Sequence, residues 1–417
     1  MYKALLLSLF VTFIFSCAER DRTNIFDPLA GIDTLDMSLY VTRADELVNI
    51  EWYPPSKIDY YGFNIYRKTT QDEAYTQIAS LEQNQSGFSD TDTGFDVTYL
   101  YYLTIQGKDD ESPPTRNIVV TPGPLSFWIL DRYGLNMYRT TYDLRHTRLT
   151  KYAVWIPEDL SVDPIHNRVL VTYPQYRFAE IFDETGGKTE INLSQFDHPF
   201  GCIFEPDYQK FWLTDSSGFV YTIDPVAGNI ELIDPSLNKP TQVVTSESYI
   251  YLIDSGNEQI ISYDKIGNRQ STIKNIGTIT LKKPLFIEPV ISSGDLFIID
   301  QAEDNRILYR FNRSENSLTE IYTDQHLKTV RFDAEKNSVW LSIDNELNSV
   351  IMQLSADGVR LKMLSGFAGI ADFRYNPQTS SLIVVDSGER IVKHIRSDES
   401  VIGVFEEAVY PSKVFTE

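Results

Sequence analysis

Residues able to do chemistry are sparse in this 417-residue chain, and they do not cluster. The five histidines, His146, His166, His198, His326 and His394, form no His-x-His or His-x-x-x-His pair, and no cysteine cluster accompanies them. A zinc site needs three or four such ligands brought together, so no metal site is expected. Of the two cysteines, Cys17 and Cys202, the second lies in an apolar run, Phe200-Gly201-Cys202-Ile203-Phe204. A thiol in that setting reads as a small core hydrophobe, since an activated one sits in an electropositive, accessible place. The chain has no Gly-x-Ser-x-Gly elbow, phosphate-binding glycine loop or dinucleotide fingerprint, so neither a catalytic set nor a cofactor is expected. Asp90-Thr91-Asp92-Thr93-Gly94-Phe95-Asp96 has the outline of a calcium loop, but the twelfth position, where a hand-type loop needs Glu, is Tyr101. It reads as a turn in which Asp bonds its own backbone.

One arrangement of carboxylates does repeat. Short apolar runs end at Asp131, Asp215, Asp254, Asp300, Asp344 and Asp386, with Tyr173 in the seventh place. The intervals between these seven ends are 42, 42, 39, 46, 44 and 42 residues. A period of roughly 40–45 residues built from short strands marks a β-propeller blade, and seven runs predict seven blades. Each run is then a blade's second strand. In a propeller the loops leaving the second strands and entering the first strands share one face, so the aspartates would ring the mouth of the channel. Two readings stand side by side. Each Asp accepts backbone hydrogen bonds in its own turn, as Asp-Ser-Gly at 254–256 and 386–388 suggests, or the ring holds a cation or polar ligand. His198 and His326 open first strands on the same face and read as surface residues. The candidate ligand-binding set is therefore His198, Phe200, Asp215, Asp254, Asp300, Asp344 and Asp386.

One unit can be followed in full. His198-Pro199 opens it and Phe200 to Phe204 is its first strand; Lys210 to Thr214, Phe219 to Ile223 and Asn229 to Ile233 follow. The next units open alike at Lys239-Pro240 and Lys283-Pro284. The first apolar run, at Phe127, lacks a first strand before it, while the chain ends in Tyr410-Pro411-Ser412-Lys413-Val414-Phe415. That terminal segment is expected to complete the first blade and close the ring. The pattern of apolar run, Asp, polar turn and Arg-Ile pair, clearest at Asp300 with Arg306-Ile307 and Asp386 with Arg390-Ile391, resembles NHL-type propellers. The resemblance implies a seven-bladed propeller over residues 123–417, and no particular activity, since the fold serves many.

Residues 35–122 alternate in β fashion. In Leu47-Val48-Asn49-Ile50-Glu51-Trp52-Tyr53, the residues Val48, Ile50 and Trp52 fall on one face, and Pro54-Pro55 ends the run. Further strands are expected at 61–67, 75–79, 98–104 and 117–120. The segment resembles a fibronectin type III domain in Trp52 before Pro54-Pro55, in Gly62-Phe63-Asn64-Ile65-Tyr66-Arg67, and in Tyr99-x-Tyr101 after an Asp-rich turn. The resemblance implies a sandwich in which Tyr99 or Tyr101 closes onto upstream backbone. There is no Arg-Gly-Asp triplet in the 107–112 loop, so an integrin-binding role does not follow. The fold class expected is all-β, a fibronectin type III sandwich followed by a seven-bladed propeller.

The N-terminus sets the address. Lys3 precedes twelve nearly unbroken apolar residues, Ala4 to Phe15, too few to span a bilayer but suited to a signal peptide covering 1–16. Ile14-Phe15-Ser16-Cys17 resembles a bacterial lipobox, with Phe15 where a small residue is commoner; the alternative is a plain secretory signal. The lipobox implies lipidation at Cys17, a polar tether over 17–34 and an outer-membrane location. A net charge of −22, spread over both halves, repels nucleic-acid phosphates, so no nucleic-acid partner is expected. The function expected is that of a non-catalytic, lipid-anchored envelope protein whose propeller presents a face to a protein or glycan. The alternative is a propeller-type lyase or hydrolase acting on a polysaccharide or lactone.

Overall fold

The computed structural model describes residues 24–26, 37–56, 58–153, 155–183, 191–345 and 348–416. Cys17, the signal peptide and most of the tether lie outside them. The chain divides into two compact units, Met1–Pro122 and Gly123–Glu417, both built of antiparallel strands.

In the first unit, Tyr40–Ala44, Val48–Glu51 and Gly87–Asp90 form one sheet. Thr76–Glu82, Gly62–Thr69, Tyr99–Gln106 and Ile118–Val120 form a second, in that order. Val48, Ile50 and Trp52 meet Phe63, Ile65, Tyr101 and Leu103 in one core. The strand Tyr40–Ala44 carries no clear alternation because a bulge between Val41 and Arg43 brings Val41 and Ala44, three apart, to the same buried side. In the 90–96 turn, Asp90 accepts the Asp92 N–H at 3.1 Å, and it also accepts the Tyr101 hydroxyl and the Arg67 guanidinium, both at 2.8 Å. The Gly94 N–H donates to the Tyr99 hydroxyl at 2.9 Å.

Among the described residues the second unit holds seven four-stranded sheets in series and one two-stranded hairpin, Asn275–Ile276 with Ile279–Thr280. Sheet 1 combines Phe127–Asp131, Asn136–Thr140 and Thr147–Tyr152 with the C-terminal strand Pro411–Thr416. Sheets 2 to 7 are consecutive meanders whose first strands are Asp159–Asp163, Pro199–Glu205, Pro240–Thr245, Pro284–Pro289, Leu327–Asp333 and Ile370–Asn376. Each first strand touches that of the next sheet; Ile370–Asn376 touches Pro411–Thr416, which in turn touches Asp159–Asp163. The series is therefore a closed ring with the first strands innermost. The second strands have neighbouring sheets on both faces, which explains their unbroken apolar runs: every residue of Phe127–Asp131 and of Ile250–Asp254 is buried.

Innermost strands of adjacent sheets are not paired as a ladder, so their N–H groups need other partners. Polar side chains of the preceding sheet supply them. Asp159 accepts from Cys202 at 3.0 Å, Ser161 from Phe204 at 2.8 Å and Gln242 from Ile287 at 2.9 Å. Glu288 accepts from Phe332 at 3.4 Å and Asp372 from Val414 at 3.3 Å.

The seam between sheets 7 and 1 holds His394, fully buried and carrying no sequence signature. Its Nδ1 lies 2.7 Å from the Tyr142 carbonyl oxygen and its Nε2 2.8 Å from Ser381 Oγ. Nδ1–H donates to the carbonyl, and because burial disfavours the charged ring, Nε2 is left to accept the Ser381 hydroxyl. Burial pushes its pKa down to about 3, against the opposing pull of the Tyr142 carbonyl. The unfolded chain thus binds this proton near the ordinary pKa of about 6.5 and the folded chain does not, so stability falls as pH drops from there toward about 3. By pH 5 the loss is about 2 kcal/mol. Denaturant titrations at pH 7.5 and 5.0 should show His394→Gln with a weaker pH dependence by that amount. Equal slopes in the two proteins would mean that His394 is not held neutral.

Candidate functional site

First strands begin, and second strands end, at the same edge of every sheet, so the loops there form one face of the ring. The register places an aspartate opposite the residue that opens the first strand in five sheets. The pairs are Pro411 with Asp131, Pro199 with Asp215, Pro240 with Asp254, Pro284 with Asp300 and Ile370 with Asp386. In sheet 2 the residue opposite the opener Asp159 is Thr172, and Tyr173 stands one position further on. In sheet 6 the residue opposite the opener Leu327 is Ile343, so Asp344 stands one position further on and is not a member of the ring. Its carboxyl accepts Lys328 Nζ at 2.8 Å, Ser349 Oγ at 2.7 Å and the Ile370 N–H of the next sheet at 3.0 Å. Burial opposes ionisation there, yet these three donors hold its pKa below the usual range.

The five in-register carboxylates are buried and their oxygens are spent on the ring itself. Asp131 accepts the Val409 and Tyr410 N–H groups at 2.7 Å each. Asp215 accepts those of Asp197 at 2.7 Å and His198 at 2.9 Å. Asp300 accepts those of Lys282 and Lys283 at 2.9 and 2.7 Å, and Asp386 those of Ala368 and Gly369 at 3.3 and 3.2 Å. Asp254 takes the Asn238 N–H and the Asn257 and Gln259 side-chain amides, all at 2.7 Å. Each Asp fastens the loop entering the innermost strand to the turn leaving the second. Among the described residues no three His, Cys, Asp or Glu side chains are placed to share a metal. His198 is exposed beside Asp215, and Phe200 is half-buried with its carbonyl accepting Thr172 Oγ1 at 2.7 Å. The remaining candidates are spread around the ring rather than gathered. Asp254→Asn is expected to cost about 1 kcal/mol, the worth of one compromised hydrogen bond. Calcium should leave the melting temperature of wild type and variant unchanged; a calcium-dependent rise abolished by Asp254→Asn would restore the ligand reading.

The innermost strands carry a second constellation. Arg331, 7% exposed, bridges Asp372 at 2.8 Å and Glu288 at 3.3 Å, and donates from Nε to the Phe373 carbonyl at 2.9 Å. Lys413 pairs with Asp159 at 3.1 Å, and Arg132 with Glu158 at 2.6 Å. Burial pushes up the carboxyls of Glu288 and Glu158, though the neighbouring cations resist it. Burial works against the Lys413 charge, but Asp159 and Glu158 outweigh it and raise its pKa. Each acid here has a basic partner within ion-pair distance. Hollows occur elsewhere, one of about 190 Å³ at Tyr208, Lys210, Glu231 and Lys265, and one of about 590 Å³ in the first unit at Tyr60, Tyr61 and Glu82.

A third feature has no counterpart in the sequence reading. Among the described residues the exposed aromatic side chains of the ring are Tyr133, Tyr152, Trp155, Tyr176, Tyr208 and Tyr410. All but Tyr208 sit at the loop face just described, and all of those belong to sheets 1 and 2. Trp155 and Tyr176 stack with centroids 4.0 Å apart and planes 22° apart. Tyr133 meets Tyr410 edge-on at 5.5 Å, and Arg390 lies 4.4 Å over the Tyr410 ring while donating to its hydroxyl at 2.9 Å. The signal available in the sequence was an aromatic in a proline-marked loop, Trp155-Ile156-Pro157 and Pro174-Gln175-Tyr176, where no strand needs it for packing.

No protein-family model matches this chain, and no curated protein matches it. Solved structures do. A functionally unknown protein from Desulfotomaculum acetoxidans aligns over 70% of this chain and 98% of its own, with TM-score 0.55 and 11% identity. The Kuenenia stuttgartiensis hydrazine synthase aligns over 58% of this chain and 77% of its own, with TM-score 0.49 and 13% identity. A nidogen/laminin complex chain aligns over 58% of this chain and 94% of its own, with TM-score 0.44 and 13% identity. At such identities the first likeness concerns the fold alone, and the other two carry no argument.

Proposed function

We propose that this is a non-catalytic envelope protein, lipid-anchored at Cys17, whose second unit is a seven-bladed β-propeller presenting one loop face to a macromolecular partner, protein or glycan. The closed ring of seven sheets supports the propeller reading. The two packed sheets of the first unit, with Tyr99 bonded to the Gly94 N–H, support a fibronectin type III-like spacer or docking module. The observation that carries the binding role is the gathering of exposed aromatics on one arc of one face, where the carboxylates are already committed to main-chain bonds. Contiguous exposed aromatic surface rimmed by polar groups marks an interaction site, and Trp, Tyr and Arg supply most binding hot spots. The alternative enzyme reading needs acids and histidines converging at the channel mouth, and the acids Glu158 and Glu288 are each held in an ion pair.

The test has two arms. Cys17→Ser should release the protein from membranes in detergent partitioning, because stable anchoring needs the acyl chains. Wild type should capture an envelope component that the Trp155→Ala/Tyr133→Ala variant does not. Membrane retention of the serine variant would refute the anchor. Capture indifferent to the aromatic pair, or polysaccharide turnover lost on Glu158→Gln, would refute the binding face.

A further inference from the structure

We infer that the arc formed by Trp155–Tyr176 and Tyr133–Tyr410 binds an uncharged polysaccharide chain. The inference rests on the binding-face reading and gives that face its ligand class.

The argument starts from what a sugar ring offers. A pyranose has a flat patch of C–H bonds on one side and a rim of hydroxyls around it. Its complement is an open aromatic plate flanked by planar hydrogen-bonding groups. The arc has these parts. Trp155 and Tyr176, 39% and 41% exposed, are stacked nearly parallel, so each ring is held in place by the other. Tyr133 is 63% exposed and rests edge-on against Tyr410, itself clamped under the Arg390 guanidinium. Pre-set rings lose little side-chain entropy on binding. Their positions are also built in by the backbone: Tyr176 ends a turn that Arg177 closes at φ 58°, and the loop holding Tyr410 is pinned through its N–H to Asp131.

Apart from Arg390, which is engaged with Tyr410, the guanidinium groups around the rings are charge-balanced, and this favours a neutral ligand. Arg132 is paired with Glu158, and Arg177 with Asp197 at 3.1 Å. Guanidinium and carboxylate in such pairs keep donor and acceptor sites for hydroxyls while cancelling each other's charge. The chain as a whole carries −22, which disfavours an anionic glycan. A peptide would want either an unpaired strand edge or a groove. This face is made of strand ends and turns, and the two hollows described above lie elsewhere. Open plates spread over two sheets suit an extended chain of several sugar units better than a single small molecule, which needs an enclosing pocket.

The experiment is affinity electrophoresis of the protein without its signal peptide, carrying Cys17→Ser, in gels containing neutral polysaccharides (a β-1,3-glucan, a xylan, an amylose, a galactomannan) or anionic alginate. At least one neutral gel should retard wild type, alginate should not, and Trp155→Ala and Tyr133→Ala should each weaken retardation about tenfold, the loss of one dominant aromatic contact. Tyr208→Ala, on the opposite face, should change nothing, and unaltered melting curves would show that the variants are folded. Retardation by no neutral polysaccharide, by alginate alone, or equally in wild type and arc variants overturns the inference. If the gels are negative but envelope capture still depends on the arc, the partner is a protein: the glycan inference falls and the binding-face reading stands. If neither depends on the arc, both fall.

Discussion

A chain lacking Tyr410–Glu417 is expected to lose cooperative unfolding and to aggregate under conditions where the full chain stays folded. The deleted segment supplies the innermost strand of sheet 1, paired with Phe127–Asp131 from Pro411↔Asp131 to Thr416↔Phe127. Its loss strips the backbone partner from a second strand that is buried along its whole length. It also removes the Tyr410 N–H donor to Asp131, the Lys413–Asp159 ion pair, and the fully buried Val414, whose N–H bonds Asp372. Sheets 7 and 2 would then face a gap with an exposed strand edge, the standard route to aggregation. The expected destabilisation is at least about 5 kcal/mol, comparable to the whole stability of a typical domain. Calorimetry decides: a single transition at the wild-type temperature in the truncated chain would show that the ring does not depend on this closure.

Arg331→Met should destabilise the protein by about 3–5 kcal/mol, the cost of breaking a buried ion pair from one side. The guanidinium joins three consecutive innermost strands, through Glu288, Asp372 and the Phe373 carbonyl, and lies 4.9 Å over the Phe286 ring. Removing it takes the shared cation from Glu288 and leaves Asp372 only the more distant Arg374, at 3.7 Å. The sharper measurement is recovery. Adding Glu288→Gln and Asp372→Asn to Arg331→Met should restore part of the loss, because the penalty comes from unpaired charge more than from the missing contact. Denaturant unfolding of the single and triple variants checks this. A loss under 1 kcal/mol in the single variant, or a triple variant less stable than the single one, would mean the cluster is not the junction described.

Much of the second unit was legible in the sequence because its second strands have a protein neighbour on each face. That demands unbroken apolar runs, and runs recurring every 39 to 46 residues announce equal structural units. The Asp ending those runs was legible too, and so was its own-turn bonding in sheets 1, 3 and 7, where the Gly134, Ser217 and Glu389 N–H groups donate to it. Its other partners were not, because those N–H groups come from loops 16 to 18 residues away in sheets 3, 4, 5 and 7, and 278 and 279 residues away in sheet 1. Asp344 misled because Asp is spaced like its counterparts, whereas register puts Ile343 opposite the strand opener. A one-residue offset is invisible to a period that itself varies by several residues. The strand at Tyr40–Ala44 escaped because its bulge breaks the alternation.

Composition and periodicity by themselves thus determined an all-β chain, the number and length of the repeats, and which residues are core within each, since these follow from local burial patterns. The tertiary structure alone decided how the repeats are joined. Acceptors at Asp159, Gln242, Glu288 and Asp372 meet N–H groups 42 to 45 residues onward, so their purpose exists only once neighbouring sheets are side by side. Gly403 is small because the Asp143 carbonyl of sheet 1 occupies the place of a Cβ. The same holds for the aromatic arc: Trp155, Tyr176, Tyr133 and Tyr410 are ordinary β-rich residues until closure of the ring carries the last of them beside the first. Exposure and mutual position are properties of the assembled surface, and a pattern along the chain reports only what each residue does within its own strand.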